Sequence, residues 1–169
     1  MSTPSLRDEL IASGLASLKL ARDTTNAMLD GLEGDQLTHR ACTGGQHALH
    51  ILGHLAFSDA MTVGLDDEAA GTLPDGFKDA FGMGAVIKDT AADYPPVDVI
   101  RAQFTQKREA VIAWLEGLDE QSLLAPLDGP WAEFGRNRAH LPHTLAWHEG
   151  THSGQLSQVR RSLGLAHKF

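Results

Sequence analysis

The sequence predicts an all-α protein, a four-helix bundle with at least one long crossover connection. Three observations carry this. Four stretches show the 3.6-residue period of helices with one apolar face. No segment alternates apolar and polar residues as a half-buried strand does. The 169 residues hold four such helices in a single domain, residues 1–169, and leave too little chain for two domains.

The first helix runs from about Ser5 to Asp30. Thr3 before Pro4 offers a cap with proline at the first helical position, and Ser5-x-x-Asp8 is an alternative capping pattern. The second starts after Thr43-Gly44-Gly45-Gln46, where Thr-x-x-Gln fits a capping box, and continues to about Leu65. Between Asp66 and Pro96 four glycines and three prolines break any sustained period, so the segment reads as an irregular connection with room for a short helical turn. Loops beyond ~15 residues in a compact domain usually serve a function. The third helix opens near Pro96-Val97 and spaces Ile100, Phe104, Val111, Leu115 and Leu118 by three, four and seven, which buries one face. A loop from about Asp119 to His140 follows, with Pro126, Asp128-Gly129-Pro130 and Trp131. Pro142 then suits the first turn of a fourth helix that ends by Gly164.

Composition excludes several functions. Twenty-two acidic against 14 basic residues give a net charge of −8, with no basic cluster, so nucleic acid is not an expected partner. No apolar run approaches the ~20 residues that span a bilayer, and Met1-Ser2-Thr3-Pro4 begins no signal peptide. One cysteine, Cys42, rules out an internal disulfide framework and an all-cysteine metal site; with no export signal it suggests a cytoplasmic protein. Nine histidines stand out in a chain with a single tyrosine.

Their placement is informative. His148 and His152 lie one turn apart on the fourth helix, about 40° apart around its axis, on the face of Leu145, Val159 and Leu163. Two inward imidazoles at this spacing offer two nitrogen ligands to one zinc-like ion. On the second helix His54 shares a face with Ile51, Met61 and Leu65 and is expected to look into the core; His50 lies one turn before it and His47 two. A lone inward histidine is more often a hydrogen-bonded core residue than a ligand. Three buried imidazoles without partners would cost several kcal/mol, which favours a metal. Spacing alone leaves His47, His50 and His54 equal as the third ligand. His39, His140, His143 and His167 fall in loops or at helix ends and receive no role.

His148-Glu149-Gly150-Thr151-His152 also matches His-Glu-x-x-His, the zinc-protease helix. That metalloprotease reading is remote. Ser153 to Phe169 holds no acidic third ligand, and Gln155 and Gln158 stand where the metzincin pattern wants glycine and histidine. Glu149 is then expected beside the site or on the solvated edge of the helix.

The closing segment from His148 to Arg161 resembles the last-helix signature His-x-x-x-His-x-Gly-Gln-Leu of the DinB-like (YfiT-like) superfamily of metal-binding four-helix bundles, which includes thiol-dependent S-transferases. Leu49-His50-Ile51-Leu52-Gly53-His54-Leu55-Ala56 is similar to its second-helix motif ending in Gly-His-Leu-Ala, and Phe81-Gly82-Met83-Gly84 and Asp93-Tyr94-Pro95 share the flavour of its long loop. The resemblance implies His54 as the third metal ligand with His148 and His152, leaving water or substrate the remaining places. It implies His47 and His50 as pocket residues, and a homodimer.

A three-histidine site with open positions lowers the pKa of a bound water or thiol toward 7. The resemblance implies the thiol branch, a transferase in which a low-molecular-weight thiol attacks a small-molecule substrate; a hydrolase is the other enzymatic reading. Zinc or nickel is the expected ion, with iron, manganese and copper as further candidates. Glu149, His50 and His47 are candidates for moving protons, and Gln155 for a hydrogen bond within the site. The rival reading is a non-catalytic metal-binding, stress-response bundle. Gly154 is expected to allow close helix approach, Trp131 and Phe134 to cover the pocket or pack beneath the loop, and Arg160 and Arg161 to be solvated or to serve an interface at the helix end.

Overall fold

Ser5 caps the first helix in place of Thr3: its Oγ accepts from the Asp8 backbone N–H at 3.2 Å, with Asp8 and Glu9 in the turn where the helix dipole favours acid. Helix α1 then runs Leu6–Leu29. The computed structural model describes residues 3–166 and 168, so Met1, Ser2, His167 and Phe169 lie outside the described residues. Helix α2 spans Ala48–Val63, and its cap is His47 rather than Thr43, because the His47 Nδ1 accepts from the His50 N–H at 3.1 Å. The long connection carries a single-turn helix, α3 (Phe77–Phe81), and a 3-10 turn at Ala91–Asp93. Helices α4 (Val97–Gly117), α5 (Glu120–Leu124) and α6 (Leu141–Ser162) complete the chain; Asp119 caps α5, and Pro142 sits in the first turn of α6. The all-α expectation holds, since the β-pairing among the described residues is one isolated bridge between Pro126 and Asn137.

The four long helices pair as α1 on α6 and α2 on α4, with a smaller contact between α2 and α6. Helix α2 is apolar around most of its circumference and lies in the main core with Phe77, Phe81, Tyr94, Ile100 and Phe104. A second cluster joins Ile11, Leu18, Val111, Leu115 and Leu145. A helix buried on nearly every side shows solvent only one stripe. On α2 that stripe holds His54, Phe57, Ser58 and Met61. His54 and Met61 therefore share a face as expected, but it is the rim of the core and not its centre.

Helix α6 is turned in a similar way. Its buried line is Leu145, Glu149, His152, Leu156 and Val159, while Trp147 is 70% exposed. Glu149 lies at the middle of the buried face and His148 at its edge, the reverse of the sequence expectation. A Cβ added at Gly150 or Gly154 would meet nothing within 4 Å, so no described element makes the close approach expected at Gly154. Arg160 is buried, donating to the Met28, Asp30 and Ala166 carbonyls; only Arg161 is solvated. Trp131 and Phe134 pack on each other, with ring centroids 5.8 Å apart. No described helix is long and apolar enough to cross a membrane.

Candidate metal centre

Helices α2 and α6 bring three imidazoles to one point. The Nε2 atom of His148 lies 3.2 Å from that of His54 and 3.0 Å from that of His152, and the three ligand atoms fall within 4.8 Å of one another. Nitrogens held about 2.0–2.1 Å from a tetrahedral ion stand roughly 3.3 Å apart, so this spacing fits a divalent cation. Hydrogen bonds on the far side of two rings set their tautomers. The His54 Nδ1–H donates to the Phe81 carbonyl at 2.9 Å, and the His152 Nδ1–H donates to Gln155 Oε1 at 2.8 Å. Both Nε2 lone pairs are thereby aimed inward, the arrangement that metal-binding histidines use. Three such nitrogens crowded together repel unless a cation or a shared proton lies between them. His152 is buried while His54 and His148 are partly exposed, so the point of convergence is reachable from solvent.

The structure separates the other histidines. His47 spends both ring nitrogens on architecture: Nδ1 caps α2, and the Nε2–H donates to the Lys88 carbonyl at 2.8 Å. It is a structural residue of the helix start, which withdraws it from proton transfer. His50 does border the centre, stacking on His54 with centroids 6.1 Å apart and 8° between planes. Its Nδ1 is buried and finds no partner among the described residues. His39, His140 and His143 hold Ser162 Oγ, the Arg136 N–H and Ser17 Oγ. Cys42 is a free, exposed thiol.

Glu149 is neither solvated nor free to act as a base. Its Oε2 accepts from Arg108 Nη2 at 2.7 Å, and its Oε1 lies 2.8 Å from Arg22 Nε, off hydrogen-bond angle but within ion-pair reach. Both oxygens face guanidinium groups, an arrangement that opposes proton transfer by this carboxylate. Asp59 binds the same two arginines, accepting from Arg22 Nη2, Arg108 Nε and Arg108 Nη2, each at 3.0 Å. Burial pushes the Arg22 guanidinium below its ordinary pKa; at Arg108 burial acts the same way but the two carboxylates reverse it. Sequence reasoning missed Arg22, Asp59 and Arg108. A signal existed for Arg108, since the seven-residue gap between Phe104 and Val111 passes over this position on the same stripe.

The long connection supplies the wall of the centre. Phe81 packs flat on α2 at Gly53, where an added Cβ would lie 2.3 Å from Cε1 and 2.4 Å from Cδ1 and Cζ of the ring. Phe81 also stacks on Tyr94 at 5.4 Å. A methyl at Gly53 must displace this ring, and with it the carbonyl that orients His54. Overpacking of this kind costs about 1–3 kcal/mol, more than the ~1 kcal/mol that alanine gains over glycine in a helix. Gly53→Ala is thus expected to lower both the melting temperature and metal affinity; a variant more stable than the parent would refute this packing account.

Protonation follows the same geometry. Burial, and after it the neighbouring imidazoles, push His50 and His148 down from 6.5 to about 4. Burial also lowers His47 and His152. At neutral pH these rings are uncharged, so a metal displaces no proton from His148 or His152. Because the folded values are depressed, the unfolded chain binds more protons between these limits. Stability from this source is complete above about pH 6.5, falls with the pH, and is lost by about pH 4. The chelator-treated protein should melt at progressively lower temperature across that window, and His50→Gln should flatten the slope. An unchanged slope in His50→Gln would count against it.

A family model described as the DinB superfamily matches residues 17–156, a span that includes all three converging histidines. No curated protein and no solved structure matches the chain.

Proposed function

Because the chain belongs to the DinB superfamily, we propose that it is a metal-dependent enzyme in which His54, His148 and His152 hold a divalent ion, zinc or nickel, and that it transfers a low-molecular-weight thiol to a small electrophile. The observation that supports this best is the convergence of three imidazoles from α2 and α6, with the His148 Nε2 3.2 Å from that of His54 and 3.0 Å from that of His152. A bound ion of this kind supplies Lewis acidity, bringing the pKa of a coordinated thiol or water to about 7.

The chain's own residues then have definite tasks. Phe81 and Gln155 keep the His54 and His152 rings turned inward. Phe81 and Tyr94 keep the inner side dry, while the partly exposed edge at His54 and His148 admits a substrate. His50, stacked beside His54 with a buried Nδ1 that has no partner among the described residues, is the candidate for relaying a proton at the centre. The resemblance supports a homodimer, which sedimentation checks, and the free Cys42 thiol suits a reducing cytoplasm.

The test is metal analysis of the purified protein, followed by incubation of the zinc- and nickel-loaded forms with a panel of bacterial thiols and electrophiles. One equivalent of metal and thiol-dependent turnover above that of free metal are expected. Hydrolysis without thiol would move the reading to a small-molecule hydrolase. Bound metal with no turnover would move it to a non-catalytic binder, and absence of stoichiometric metal would end it.

A further inference from the structure

We propose that the buried quartet Arg22, Asp59, Arg108 and Glu149 is the positioning device of the histidine centre, holding α2 and α6 at the separation at which His54 meets His148 and His152. The inference rests on the metal-centre reading and extends it to residues with no place among the ligands. The two ligand-bearing helices pack on each other only modestly; each is bound mainly to a helix that carries no ligand, α2 to α4 and α6 to α1. Something must therefore fix α2 against α6.

The quartet has the right connectivity. Both acids come from the ligand helices, Asp59 five residues beyond His54 and Glu149 next to His148, and both arginines from the other two. Each guanidinium touches each carboxylate at 2.7–3.0 Å, so the two ligand helices are cross-braced twice. The arginines are themselves fixed: Arg22 donates to the Phe104 carbonyl at 2.6 Å and Arg108 to the Leu18 carbonyl at 3.3 Å. Arg22 further lies 3.6 Å over the Phe104 ring. Ser153 Oγ, which donates to the Glu149 carbonyl, meets Thr25 Oγ1 at 2.8 Å and ties α6 to α1 at the same level.

The alternatives to positioning are weaker. The four formal charges cancel, so the quartet adds little field at a cation. Buried ion groups also seldom stabilise a fold more than well-packed apolar residues would. What they supply here is direction, since a planar guanidinium fork binds carboxylates in few orientations.

Glu149→Gln and Asp59→Asn test this, with Arg160→Met as a control that removes a different buried arginine. In chelator-treated protein, ring-to-ring NOEs between His54 and His148 or His152 report the separation of the helices; Co2+ titration and the visible d–d spectrum report the assembled centre. Folded Glu149→Gln and Asp59→Asn proteins, studied well below their melting temperatures, are expected to lose those NOEs. Their Co2+ dissociation constants should rise about tenfold or more, with shifted d–d bands. Arg160→Met should melt earlier with both signatures intact. If Glu149→Gln does not fold, Arg22→Gln at the edge of the quartet carries the same expectation. Folded variants with parental NOEs and spectrum overturn the proposal, as does an equal change in Arg160→Met. A parent protein that shows the NOEs and takes no Co2+ ends the metal reading, while the NOEs still decide the quartet.

Discussion

Replacing His148 with alanine is expected to raise the dissociation constant for zinc more than about a hundredfold, because groups that merely orient ligands are already worth about 10–100-fold. His148 is the hub: its Nε2 is the atom that stands 3.2 Å from His54 and 3.0 Å from His152, and without it the remaining pair must hold the ion from two sides only. His54→Ala and His152→Ala belong to the same class. Gln155→Ala, which frees the His152 Nδ1, should fall at the lower end of the range. Because His148 is partly exposed, its truncation leaves the helices in place, and circular dichroism should match the parent. Competition against a chelator of known affinity measures the change. An affinity within about threefold of the parent would remove His148 from the ligand set.

Arg108→Met is expected to cost about 3–5 kcal/mol of folding free energy, the usual penalty when one member of a buried ion group is removed. Against the ~5–15 kcal/mol that holds a domain together, this brings the protein close to unfolding at ordinary temperature. Arg108 is 5% exposed and donates to both Asp59 and Glu149. Its loss leaves two buried carboxylates sharing the single guanidinium of Arg22. Urea unfolding gives the number. In a background with Asp59→Asn and Glu149→Gln the cost of Arg108→Met should shrink, because the charges it compensates are gone. A penalty under about 1 kcal/mol in the parent background would mean that water or rearrangement relieves those carboxylates.

The helix boundaries of the long elements follow from local rules that act within a few residues: caps, prolines at helix starts and the period of apolar side chains. Where two local signals competed, as at Thr3 and Ser5, the hydrogen bond that forms chose between them, and at the start of α2 the cap fell to His47, which no capping pattern marked. The i,i+4 pair His148 and His152 was readable for the same reason, because helical geometry alone puts both on one side. Spacing did not distinguish the third candidate ligand, and it was the resemblance at Gly53-His54-Leu55-Ala56 that pointed to His54. His47, His50 and His54 share a helix, and only the packing of α2 beneath the long connection turns His54 toward α6, spends His47 on a cap and leaves His50 beside the centre.

The roll of the two ligand helices departs from the sequence expectation for one physical reason. Reading a buried face from the sequence treats every charge as a preference for water, which holds for an unpaired side chain. Glu149, Asp59 and Arg108 each lie on a buried face because partners more than a hundred residues of chain apart in the widest case, Arg22 and Glu149, arrive to neutralise them. The sequence alone therefore determines an all-helical protein with two histidines poised on one helix face, since both depend on contacts within a turn or two. How the helices are rolled, that His54 comes to meet His148 and His152, and that the Glu of His-Glu-x-x-His is buried against two arginines are settled only in the folded chain. Those depend on charge compensation and packing between helices, which no local pattern records.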